Sequence, residues 1–195
     1  MGLNDIRPYK QGLSSPAMES YPLAAAGNFV AGNPVRLSLA GFLIECADAP
    51  TADNILGISQ ASGDIDGSIL AATIFPNITY PTTGADGFPN TGDMIPVAIP
   101  KSETLWVVNA DRFSVAGAAF GDVVPTVAHV GQACGIALIA GNFGVELVGV
   151  LIGRVHDVLN ADGKSVGSEG GTGVAVVFSI NAHQGTATGT TVDPA

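Results

Sequence analysis

The aliphatic residues of this chain come in short runs, and glycine or proline closes nearly every run. Val35, Leu37 and Leu39 alternate with Arg36 and Ser38, Gly41 turns the chain, and a second run leads from Phe42 to Cys46. Side chains of a strand point alternately to its two faces, so period-two alternation with turn residues between runs marks half-buried strands. Comparable runs follow over 55–59, 69–75, 94–99, 105–108, 123–128, 136–140, 145–158 and 174–180. With 26 Gly and 12 Pro in 195 residues, few intervals suit a sustained helix. The pattern predicts an all-β fold, a small β-barrel or β-sandwich, with at most one short helix. That helix is placed over 111–120, where Asp111 or Ser114 can cap a turn carrying Ala116, Ala118 and Ala119.

The same reading divides the chain. Residues 1–30 combine Pro8, Pro16 and Pro22 with Gly12, Ser14 and Ser15 and show neither period, which predicts an extended N-terminal arm. Ile6, Tyr9, Leu13, Met18 and Tyr21 give it apolar anchors too sparse for a core, so they are the expected contacts with a partner. Residues 31–183 form the β-domain and 184–195 a flexible polar tail. Inside the domain, 76–93 is a long loop around Tyr80 and Phe88, two further expected contact residues. Asn160-Ala161-Asp162-Gly163 reads as a hairpin turn and 167–173 as a flexible glycine-rich loop. Gly32-Asn33-Pro34-Val35, Gly92-Asp93-Met94-Ile95 and Gly121-Asp122-Val123-Val124 share one form, a glycine turn leading into a strand.

Composition narrows the function classes. Hydrophobic residues make up 47% of the chain and charged residues 12%, against about 25% charged in an average soluble domain. Some of the surface is therefore expected to meet protein, which predicts self-association. A membrane helix is excluded, because the most apolar stretch, 130–152, is broken by Gln132, Asn142, Glu146 and several glycines. The net charge of −10 and the scattered basic residues disfavour nucleic acid. Cys46 and Cys134 read as small buried hydrophobes rather than a disulfide framework. The first residues carry no apolar h-region, and Ile6 stands where a myristoylation signal needs Ser or Thr, which predicts synthesis in a cytoplasm.

Motifs for chemistry are incomplete. Gly57-Ile58-Ser59-Gln60-Ala61 nearly matches the nucleophile elbow, but a turn follows where a helix is required, so Ser59 reads as a surface serine at a strand end. Asp64-Ile65-Asp66-Gly67 lacks the distal Glu of a calcium loop. His129, His156 and His183 have no ligand partners at zinc spacing, and strand alternation sends Asp157 to the face opposite His156. The stretch 167–173 lacks the Lys and hydroxyl of a P-loop, and Trp106 lies in an apolar run that predicts core packing. No catalytic residue, metal ligand or cofactor is expected, and the chain is not read as an enzyme.

Four phrases in order, Ala31-Gly32-Asn33-Pro34-Val35, Asn54-Ile55-Leu56-Gly57-Ile58, Leu105-Trp106-Val107-Val108-Asn109 and Val130-Gly131-Gln132-Ala133-Cys134-Gly135-Ile136, together with the composition, resemble the head decoration, or capsid cement, proteins of tailed bacteriophages. The resemblance implies a virion protein that binds the outer surface of the assembled shell of major capsid protein, often as a trimer, with no active site; a homotrimer is the expected self-association, with a dimer next. The alternative is a β-rich receptor-binding or fibre module of a virion or cell surface, in which Tyr80 and Phe88 touch a ligand.

Overall fold

A computed structural model describes residues 6–9, 16–25, 27–51, 54–64, 89–101 and 103–181. Two sheets carry the described fold. The larger has seven strands in the order β1 (Arg7–Pro8), β9 (Leu105–Asn109), β14 (Ala175–Ile180), β13 (Gly153–Leu159), β11 (Ala133–Ile139), β12 (Asn142–Glu146) and β10 (Phe113–Ser114). The second has five, β2 (Ala17–Pro22), β8 (Met94–Ile99), β6 (Gly57–Ser59), β4 (Pro34–Leu37) and β5 (Leu43–Glu45). A small ribbon pairs β3 (Asn28–Phe29) with β7 (Gly63–Asp64). The end strands of each sheet do not meet, so the all-β fold is an open, sandwich-like one and not a closed barrel.

Side-chain alternation explains the layers. Trp106 and Val108 of β9 and Val176, Phe178 and Ile180 of β14 point to one face, where they pack with Ile58 of β6 and Ala98 of β8 in a core shared by both sheets. The opposite face of the five-stranded sheet packs Val35, Leu43, Ile95, Val97 and Ile99 against Leu23 and Phe29, which the small ribbon supplies or adjoins. A third cluster of Val107, Leu159, Ala175 and Val177 lies on the other face of the seven-stranded sheet. Each apolar run thus buries one or both of its faces.

Irregularities set the register. Val155 pairs with Phe178 but Asp157 with Val177, so His156 is the extra residue of a β-bulge. The bulge breaks strict alternation, so Val155 and Val158 both pair with residues of β14 that face the main core, Phe178 and Val176. The run 145–158, read as one strand, is two: β12 ends at Glu146, Gly149 turns with φ +77°, and β13 starts at Gly153. Residues 123–128 form no strand, because Pro125 has no N–H for a ladder and a 3-10 turn at Val127–His129 is closed by the Thr126 and His129 side chains. The helix expected over 111–120 is a single 3-10 turn, Ala110–Arg112, and the short helix, α1, lies instead at Val166–Glu169 in the glycine-rich stretch. Of the three glycine launches, Gly32 (φ +91°) and Gly92 (φ +89°) do start β4 and β8.

The first thirty residues differ most from expectation. Their described segments are extended, yet they lie on the protein's own sheets: Arg7 and Pro8 pair with Val107 and Trp106, and 17–22 pair antiparallel with 94–99. Ile6 fills the shared core and is 1% exposed. One aliphatic anchor and a few ladder hydrogen bonds are enough, since an existing sheet edge offers unpaired backbone groups to any extended segment. The run at 69–75, most of the loop at 76–93 and the tail at 184–195 lie outside the described residues.

Candidate functional site

The sequence-selected contact residues do not gather in one place. Ile6 is core, and Tyr9 is half-buried beside Leu105, whose carbonyl accepts the Tyr9 N–H at 2.8 Å. Tyr21 packs on the second core while its hydroxyl donates to Glu19; burial and that carboxylate push the phenol up to about 12. Met18 alone of the described set is strongly exposed. Leu13, Tyr80 and Phe88 lie outside the described residues.

The residues weighed for chemistry are occupied structurally. Ser59 is buried, not on the surface, and its hydroxyl lies within donating distance of the carbonyls of Val30 (3.0 Å) and Asn33 (3.2 Å), tying β6 to the turn before β4. His129 accepts the Thr126 N–H on Nδ1 at 2.9 Å and stands edge-on to Phe113. His156 is exposed on the bulge, and partial burial with Arg154 nearby lowers its pKa. Asp157 does not pair with it but accepts the Ser165 hydroxyl at 2.7 Å. Trp106 is fully buried, as its apolar run predicts. Among the described residues no three His, Cys, Asp or Glu side chains stand together as metal ligands, and no helix is long and apolar enough to cross a membrane.

One small cleft of about 210 Å³ opens beside the β5–β6 connection, lined by Arg36, Asp48, Thr51 and Asn54 among others. Asp48 uses its carboxylate to accept the Leu138 N–H at 2.8 Å and Asn54 donates to Thr51, so the cleft's polar groups chiefly hold the loop. It has neither a nucleophile with an adjacent base nor a ligand set.

What sequence reasoning missed is the apolar surface outside the arm. Ten large hydrophobic side chains of the described residues are at least a third exposed, and seven of them, Val123, Val124, Val127, Val130, Val148, Leu151 and Val174, come from loops at the seven-stranded sheet. Val123 to Val127 read as a strand because they are β-branched; the signal that could have flagged them is Pro125 beside so little charge. The other three are Met18 and Met94, from the paired strands β2 and β8, and Leu39, at the tip of the β4–β5 hairpin.

Fold and surface together define an all-β, two-sheet module with apolar loops. No protein-family model, no curated protein and no solved structure matches the chain.

Proposed function

We propose that this chain is a structural virion protein, a capsid decoration subunit that binds the outside of an assembled phage head and stabilises it. The observation that carries the reading is the exposed apolar surface: side chains such as Met18, Leu39, Met94 and Val127 stand in water although the described residues already form two buried cores. Exposed apolar area of this extent marks contact with protein. The four phrases that resemble decoration proteins also support it, since three are a turn or loop running into a strand of the two-sheet frame, β4, β6 and β11, and the fourth is β9 itself.

The mechanism is burial and not turnover. A subunit that binds the assembled lattice but not free capsid protein stabilises that lattice by mass action, and many copies multiply a modest contact. Its partners are the major capsid protein and other copies of itself, as a homotrimer, and its location is the outer capsid surface after synthesis in the host cytoplasm. Co-sedimentation with bare shells tests this. Saturable binding to shells, and none to unassembled capsid protein, is the expected result; absence of binding to shells overturns the reading.

A further inference from the structure

From residue 113 to residue 153 the sequence contains no Lys or Arg and only two carboxylates, Asp122 and Glu146. Asp122 is exposed but engaged in hydrogen bonds, and Glu146 is buried. Asp122 is held by the Ser114 hydroxyl at 3.1 Å and by the N–H groups of Val115 and Ala116, both at 3.3 Å. Glu146 is 6% exposed, its carboxylate wedged beside Gly117 and Gly149. The loops of this stretch nevertheless carry the most exposed valines among the described residues, Val127 at 57% and Val124 at 53%.

These loops are joined. The 115–131 segment meets the 147–151 loop where Gly117 approaches Val148, and it meets residue 173 where Gly173 packs against the Pro125 carbonyl, with Val174 exposed alongside. We propose that this charge-poor face, built from 115–131, 147–151 and 173–174, with Asp122 as the one exposed carboxylate of these segments and the Arg154 guanidinium at its edge on the Gly131 carbonyl, is the surface through which copies of this chain join one another. The inference rests on the self-association in the functional reading above and names its surface. A second copy is the occupant for an electrostatic reason. Each chain carries −10, so two copies repel wherever their carboxylates approach, and a face whose one exposed carboxylate is already held by the Ser114 hydroxyl and two backbone N–H groups lets them close with little like-charge repulsion. A basic partner, by contrast, is best met by the acidic remainder of the surface. The area also suits: the seven aliphatic side chains expose roughly 500 Å², at the upper end for a monomer's largest apolar patch. Exposed Ala116, Ala118 and Ala119 between them extend the face toward the about 800 Å² per partner of a standard interface.

Sedimentation velocity on the full chain at micromolar concentration tests the assignment. The unaltered protein sediments as an oligomer, Val127→Asp and Leu151→Asp each sediment as monomers with unchanged far-ultraviolet circular dichroism, and Ala40→Asp, on the β4–β5 hairpin, keeps the oligomer. Should either loop variant lose its fold, the other decides. A monomeric parent protein overturns the inference, as do folded Val127→Asp or Leu151→Asp proteins of parental mass, or an Ala40→Asp protein that dissociates equally. Shell binding by the same unaltered protein separates the two readings: a monomer that binds shells removes only this interface, and an oligomer that ignores shells removes only the decoration role.

Discussion

Cys46 and Cys134 show how burial sets reactivity. Both thiols are free and buried, and burial pushes each up to about 12, so the nucleophilic thiolate is scarce at neutral pH. Neither should react with a thiol reagent at pH 8 in the native protein, and both should react after denaturation; fast native labelling of either contradicts this. Glu146 is the complementary case. Burial first, then the Asp48 charge, raises its carboxyl above the ordinary value of 4.5, and among the described residues nothing hydrogen-bonds it. The folded state therefore holds this proton more tightly than the unfolded chain, so the group's contribution is present at low pH and is lost as pH rises through the raised value. Glu146→Gln should accordingly melt about 2–4 °C above the parent at neutral pH. The gap should close below the usual glutamate range. A variant that melts below the parent at pH 7 refutes this account of the site.

At the scale of elements, the first described residues matter more than their composition suggests. Ile6 is inside the shared core, so Ile6→Ala should cost about 2–5 kcal/mol by chemical denaturation, the range for a buried aliphatic truncation. A loss below about 0.5 kcal/mol, typical of an exposed site, contradicts the placement. Gly153 is a second test: a Cβ there stands 1.8 Å from the Ser179 carbonyl oxygen across the β13–β14 pairing. Gly153→Ala should destabilise by about 1–3 kcal/mol through overpacking, and an unchanged denaturation midpoint argues against it. Short apolar runs bounded by turn residues, such as β4, β8, β9 and β14, were legible from the sequence because burial of one or both faces dictates their residues. The bulge at His156 was not, since a bulge changes pairing without changing composition. Nor was the pairing of 7–8 and 17–22, because edge strands are selected by backbone hydrogen bonds that leave no side-chain pattern. The contact surface was legible only as a charge deficit: 12% charged residues predict hidden surface but do not say which loops carry it.

For the whole molecule, the two sheets close their cores within one chain and still leave aliphatic side chains in water. Such a surface is costly unless it is covered, and a decoration subunit is covered on the shell and at its contacts with other copies. Cores made of short strands also imply that the fold does not depend on the shell. The purified protein should show mainly β-structure by circular dichroism, and a helix content above about a third contradicts the two-sheet fold. The central claim is attachment to the assembled head. Low-resolution electron microscopy of shells prepared with and without the protein measures this directly. The account predicts added density at regularly repeated positions on the outer surface, present only when the protein is supplied; shells with identical surfaces in both preparations contradict it.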